Sequence, residues 1–212
     1  MQPEIPSAAF QPILDELQRL PLPINHYRFK CGEGRSQAFG LVNRRCLPPD
    51  YSRQCWKRPY LYKLLLEFGA TYVTDISWNS ITVNQNYQAA PHRDKGNVGL
   101  SYLVAAGDFT GGELVIHEGD LSGVADIRHR PIITDFSKVL HSVHPFSGNR
   151  VSLVYYTLRN TPADIPPPSV VLDGGKWRFK RGDQIIRTGL PHPLQKGSGL
   201  SKQESPTTIE FH

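Results

Sequence analysis

Apolar positions change their period once along the chain. In QPILDELQRL, Ile13, Leu14, Leu17 and Leu20 recur at helical spacing, and Pro21 ends the run. RPYLYKLLLEFG reads as a second helix, with Pro59 in its first turn and Gly69 just past its end. Between the two, VNRRCLPPDYSRQCWKR carries a proline pair and scattered charge, which predicts an irregular basic loop. From Thr71 onward the apolar runs are short: TYVTDI, SITVNQN, GLSYLVAAG, GELVIHE, GVADIR, PIITDF, KVLHSVH and RVSLVYYTLR. They are rich in Val, Ile, Tyr and Thr, with Gly, Asn, Asp, Ser and Pro between them. Such spacing predicts an antiparallel sandwich or barrel. Two helices ahead of it predict an α+β fold in which the helices buttress one sheet.

After Arg159 the pattern shifts again. NTPADIPPPS reads as a proline-rich linker and SVVLDGGKWRFKRGDQIIR as a hairpin turning at Asp173-Gly174-Gly175. From Thr188 the chain is rich in Gly, Ser and Pro and is expected to be irregular. Three regions follow: a helical and basic-loop extension over 1–70, a strand-rich core over 71–160, and a C-terminal extension over 161–212. No internal repeat is present.

The 212 residues suffice for one domain with a full core. Cys31, Cys46 and Cys55 are an odd set without a Cys-x-x-Cys pair, so no disulfide framework is expected. The first residues carry neither a basic nor an apolar signal region, and no apolar run approaches the ~20 residues of a membrane span. A soluble, reducing, intracellular setting is expected, nuclear in a eukaryote, with no membrane partner and a monomeric chain. The net charge of +5 is unevenly spread. Residues 1–75 hold ten Lys/Arg against seven Asp/Glu, 76–159 seven against seven, and 160–212 seven against five. A neutral middle with basic flanks places any grip on an anionic polymer in the flanks. On charge alone a solvated surface is the better reading, because the imbalance is far below that of a basic tail.

Candidate chemistry centres on APHRDKGN. In an extended segment residues two apart share a face, so His92 and Asp94 present an imidazole and a carboxylate to one point. A mononuclear metal needs a third ligand, and His141 or His144 in KVLHSVHPFSGNR can supply it. Two histidines and one carboxylate on one face of an octahedron leave three positions open, which suits non-haem Fe(II) that binds a co-substrate and O2. Arg150 and Ser152 open the next strand on a common face, and a guanidinium with a hydroxyl makes a carboxylate receptor. A dicarboxylate that chelates the metal at one end fits the pair, and 2-oxoglutarate has that form. Asn84 and Asn86 fall on the same inner face if the strand stays extended, as partners for a co-substrate carboxylate or a substrate edge. A turn-forming Asn pair that bonds its own backbone is the alternative.

In this order His92-Arg93-Asp94, GDFTGGELVIHE, His141 and Arg150-Val151-Ser152 resemble the motifs of the Fe(II)/2-oxoglutarate-dependent dioxygenases, over about Asn84 to Leu158. The resemblance implies a double-stranded β-helix, iron held by His92, Asp94 and His141, and 2-oxoglutarate held by Arg150 and Ser152. Its pattern His-x-Val-x-Pro fits His141 to Pro145 and selects His141 over His144, which becomes a polar residue near the turn. His117, His129, His192 and His212 are expected at the surface or at strand ends.

Within that superfamily, residues 38–160 are most similar to the TET/J-binding-protein group, which oxidises the 5-methyl of pyrimidines in nucleic acid. The similarity rests on Asn84-x-Asn86 before the His-x-Asp, Asn97 soon after it, and the Gly-Gly-Glu-Leu turn. It implies DNA, or RNA, as substrate, with 5-methylcytosine as the first candidate. Such an enzyme must extrude its target base and hold the backbone with cations. Arg44, Arg45, Lys57 and Arg58, in a loop with Arg53, Tyr51 and Trp56, are the first candidate contacts, along with Arg93 and Asn97. Trp177, Arg178, Lys180 and Arg181 form a second basic-aromatic cluster. Two other readings stand beside this one: a prolyl-type protein hydroxylase, and a binding module without catalysis.

Overall fold

A computed structural model describes residues 3–24, 32–120 and 122–186, and the backbone of Thr208–Glu210. Cys31, His192, His212 and the tail expected to be irregular from Thr188 lie outside the described residues, apart from that short backbone segment.

Helix α1 (Gln11–Arg19) forms where its leucines predict it. A hairpin follows, of β1 (Gly32–Arg44) and β2 (Leu47–Tyr51), then a short helix α2 (Arg53–Lys57) and the long helix α3 (Pro59–Tyr72). The expected basic loop is therefore two strand segments and a helix. Pro48 and Pro49 are tolerated because β2 is the edge of its sheet, where a missing N–H breaks no ladder. Helix α3 runs past Gly69, because that glycine packs against rings. A Cβ there would stand 2.4 Å from Trp78 Cζ2 and 2.8 Å from Tyr155 Cε1. The segment TYVTDI is no strand. Tyr72 ends α3, packed on Phe68 one turn back at 5.0 Å.

The remaining strands are β3 (Ser80–Ala89), β4 (Asn97–Ala106), β5 (Phe109–Gly111), β6 (Leu114–Ile116), β7 (Gly123–Ala125), β8 (Ile132–Thr134), β9 (His141–Val143), β10 (Phe146–Gly148) and β11 (Val151–Leu158). The larger sheet has the order β2-β1-β3-β11-β4-β8, and every pairing in it is antiparallel. Two small antiparallel sheets, β7-β6-β9 and β10-β5, complete the barrel.

Alternation assigns the two faces of the larger sheet. Ile81 and Val83 on β3 and Leu153 and Tyr155 on β11 join the buried core, and the Tyr155 hydroxyl donates to the Leu65 carbonyl at 2.7 Å. Phe39 of β1 stacks on Tyr62 of α3. The helices thus cover one face, while Thr82, Asn84, Ser152, Val154 and Tyr156 look into a cavity on the other.

Past the barrel, β12 (Pro168–Asp173), β13 (Lys176–Arg181) and β14 (Gln184–Ile186) form the expected hairpin, turning at Gly174-Gly175, with β15 (Thr208–Glu210) on its outer edge. This sheet clamps onto the helices through Phe179, whose ring meets Tyr51, Trp56 and Tyr62. Tyr51 and Trp56 are therefore packing residues, not wedges for nucleic acid. Trp177 stacks on Tyr60 with the Lys63 ammonium over its ring, and Arg181 pairs with Asp50, so part of the second basic cluster serves packing. No helix of the described residues is long and apolar enough to cross a membrane.

Candidate active site

The chain leaves β3 at Ala89 and crosses the sheet face before starting β4 at Asn97. His92 forms an isolated bridge with His141: the His92 amide donates to the His141 carbonyl at 2.9 Å, and the His141 amide returns the bond at 3.0 Å. Two steps on, the Asp94 amide donates to the Phe136 carbonyl at 2.9 Å. These backbone bonds bring His92, Asp94 and His141 together, each with one ligand atom, all within 4.8 Å of one another. His92 Nε2 lies 3.5 Å from Asp94 Oδ1.

Each imidazole is held through its other nitrogen. His92 Nδ1 lies 2.8 Å from the Ala90 carbonyl and His141 Nδ1 3.1 Å from the Val139 carbonyl. A carbonyl only accepts, so both rings carry their proton on Nδ1 and offer a lone pair at Nε2. Burial pushes the His141 pKa down, which favours the neutral, ligating form. Asn97 Nδ2 donates to Asp94 Oδ2 at 3.4 Å and to Ser101 Oγ at 3.3 Å. Asn97 is buried, so it orients the carboxylate from behind.

The residues expected to receive a carboxylate line the same cavity. Arg150 is only 2% exposed, yet no carboxylate among the described residues lies within ion-pair distance of it. Its Nε donates to the Gly112 carbonyl at 3.1 Å, and its guanidinium sits 5.5 Å and 5.7 Å from the rings of Phe109 and Phe146. Gly112 is required here: a Cβ would stand 2.9 Å from Arg150 Cδ. Burial lowers the pKa of Arg150 to about 10, partly countered by Asp126 and Glu113, so the group is still a cation at neutral pH. Ser152 Oγ accepts from Asn84 Nδ2 at 3.2 Å, and Asn84 Oδ1 is buried without a partner. A buried cation without a carboxylate, beside a hydroxyl free to turn, is what a bound carboxylate would complete.

Asn86 is not part of this receptor. A bulge in the pairing of β1 with β3 puts Asn86 at φ 50°, with its side chain on the outside, where Oδ1 accepts from the Arg150 amide at 2.8 Å. The bulge shifts the alternation by one, so Tyr87 and Ala89 face the cavity instead. A continuous strand would turn Tyr87 away, which is why its sequence position gives no sign of the site. His144 stands outside the cluster, 3.4 Å from Glu113. His117 bonds Ser142 Oγ at 2.9 Å and His129 stacks on Phe10.

The expected nucleic-acid contacts divide. Arg58 donates to the carbonyls of Leu20 and Pro21, Arg44 pairs with Asp50 at 3.2 Å, and Lys57 sits in the last turn of α2. Arg93 donates to the Lys138 carbonyl and pairs with Glu118. A second hollow, between the 92–97 loop and the end of β1, shares Tyr87, His92, Asp94, Asn97 and Tyr156 with the cavity and is also lined by Asn43 and Lys95. Arg45 lies in the turn just beyond Asn43, and Arg159 bonds the carbonyls of Gly96 and Asn97. Lys95 lines this hollow, while Arg159 is tied to two of its lining residues and Arg45 follows Asn43 by two; Lys95 and Arg159 are absent from the set expected from sequence.

No family profile and no curated protein matches the chain. Solved structures do. That of NgTET1 in complex with 5mC DNA is 14% identical with a TM-score of 0.55, over 75% of this chain and 71% of that one. The fold is the double-stranded β-helix. A 2OG-Fe(II) oxygenase family oxidoreductase from Burkholderia pseudomallei matches at 20% identity and TM-score 0.46, over 70% of this chain and 80% of that chain. A Pseudomonas putida prolyl-4-hydroxylase matches at 14% and 0.45, over 73% and 89%.

Proposed function

We propose that this double-stranded β-helix is an Fe(II)- and 2-oxoglutarate-dependent dioxygenase that oxidises the 5-methyl group of a pyrimidine, 5-methylcytosine first, in DNA. The observation that carries the reading is one cavity lined both by the His92, Asp94 and His141 cluster and by Arg150, buried with no carboxylate partner among the described residues.

When bound, Fe(II) with 2-oxoglutarate and O2 supplies oxidation of a C–H bond, with succinate and CO2 as co-products. The chain does the rest. His92, His141 and Asp94 would hold the metal through Nε2 of each imidazole and the Asp94 carboxylate. Arg150, Ser152 and Asn84 would bind and orient the far carboxylate of the co-substrate. Leu103, Leu114 and Val154 line the cavity with hydrocarbon and keep water out. Asn97 fixes the carboxylate of Asp94.

The substrate class rests on three supports: the resemblance of the motifs to the TET/J-binding group, the bound DNA of the NgTET1 match, and the hollow beside the metal cluster. Tyr87, Tyr156 and Asn43 line that hollow, two aromatic rings and an amide of the kind that stack on and hydrogen-bond an extruded base. Arg45, Lys95 and Arg159 join Lys57 as the backbone contacts, in place of Arg58, whose guanidinium bonds Leu20 and Pro21.

The test is succinate release from 2-oxoglutarate by the full chain. Release should require Fe(II), vanish in Asp94→Ala, and rise on adding a methylated duplex. Release stimulated by a proline peptide and not by DNA would replace the substrate with a protein; no release under any condition would refute the oxygenase.

A further inference from the structure

We infer that Glu118 and Arg93 form a strap that sets the spacing of the metal ligands, and that Glu118 is a positioning residue for the centre. The inference rests on the metal-centre reading above.

Arg93 stands between two ligands, His92 and Asp94, so its side chain leaves the opposite face of that segment. Its Nε donates to the Lys138 carbonyl at 2.9 Å and its Nη2 donates to Glu118 Oε1. The same Glu118 oxygen accepts from the Leu140 amide at 2.6 Å, one residue before the third ligand. One carboxylate oxygen thus joins the segment that carries two ligands to the segment that carries the third.

The position of Glu118 follows from the ladder. Strand β6 pairs with β9 in a register that sets Ile116 opposite His141, and the His117 amide extends the pairing by donating to the Leu140 carbonyl at 2.9 Å. Backbone pairing stops there. The Glu118 side chain then takes the Leu140 amide that the strand leaves behind. A Cβ on Gly119 would come 3.5 Å from Val139, so the turn carrying Glu118 lies against the residue whose carbonyl fixes His141 Nδ1. The strap adds a side-chain tie to the two backbone ties between these segments, the His92–His141 bridge and the Asp94–Phe136 bond. Both partners are about two-fifths exposed, at 39% and 41%, so neither holds up the core. What they hold is geometry, and outer partners of metal ligands commonly change metal affinity by about 10- to 100-fold.

The experiment is a Co(II) titration of the metal-free full chain, followed by the visible absorption of the bound ion, with a thermal melt of each metal-free variant alongside. Glu118→Ala should weaken Co(II) binding by about tenfold or more and alter the ligand-field bands. Glu118→Gln, which keeps an acceptor for Leu140 and loses the charge opposite Arg93, should fall between Glu118→Ala and the parent. Arg93→Ala should weaken binding as well, and Arg93→Ala with Glu118→Ala should cost no more than the worse single change, because the two act as one unit. Melts should stay close to the parent. Parent-like affinity and bands in both single variants would overturn the strap, as would losses that add in the double variant. A parent chain that binds no Co(II) would instead overturn the metal centre itself.

Discussion

Arg150→Met separates the co-substrate receptor from the fold. Methionine keeps most of the side chain's length against Gly112, Phe109 and Phe146 and removes the charge. In the free protein Arg150 is 2% exposed, and among the described residues its guanidinium has one hydrogen bond, to Gly112, and no carboxylate partner, so its burial costs stability. Removing it relieves that cost and leaves the Gly112 carbonyl without its donor, a loss of about 1 kcal/mol. The two effects oppose, and the metal-free variant should unfold in urea within about 1 kcal/mol of the parent. With 2-oxoglutarate the balance differs. The co-substrate's carboxylate would be buried opposite a thioether, and breaking such a pair costs about 2–5 kcal/mol. That is roughly a 30- to 4,000-fold weaker affinity. The assay is calorimetric titration of 2-oxoglutarate into the Mn(II)-loaded chain. Parent-like affinity would refute the receptor. A metal-free variant destabilised by more than about 3 kcal/mol would show instead that the charge is paired within the protein.

Further outcomes follow from the same geometry. His141→Ala should abolish succinate release, whereas His144→Ala, which loses only a neighbour of Glu113, should retain it; the reverse result would reassign the third ligand. Gly69→Ala should lower urea stability by about 1 kcal/mol, because overpacking against Trp78 and Tyr155 costs about 1–3 kcal/mol while helix propensity returns about 1. An equal or higher midpoint would mean that the rings move aside. Arg45→Ala with Lys95→Ala should weaken DNA binding at every sequence and flatten its salt dependence by about 0.9 for each duplex phosphate the protein no longer neutralises. Arg58→Ala should lower stability and leave that slope alone, since its guanidinium is spent on Leu20 and Pro21; a flattened slope would return it to the interface.

The triad is legible in the sequence because it depends on order and spacing. His92 and Asp94 are two apart, and His141 heads a strand whose partner is set by Ile116, so local rules place all three. Arg150 and Ser152 are legible for the same reason: β11 is continuous, and alternation survives its length. Asn86 and Tyr87 exchange their expected faces because one bulge reverses the alternation; asparagine favours positive φ, but VNQNYQ holds two, and nothing in it tells that Asn86 rather than Asn84 takes φ 50°. Strand β1 is hidden by its glycines, which look like turn signals. They permit close approach instead: at Gly40 a Cβ would meet the Asn79 carbonyl oxygen at 2.3 Å. The basic loop misleads through composition alone, since charge says nothing of whether an arginine faces solvent or, like Arg58, caps a neighbouring segment's carbonyls. Glu118 carries no local signal, being 25 residues from Arg93 in sequence.

The most direct test of the central claim is the fate of the methyl group. The full chain is incubated with Fe(II), 2-oxoglutarate, O2 and a duplex carrying 5-methylcytosine, and the nucleosides are then separated and weighed by mass spectrometry. The account predicts a 5-methylcytosine nucleoside that has gained one oxygen atom, derived from O2, in step with succinate and absent with Asp94→Ala. Succinate formed while every nucleoside stays unaltered would contradict it.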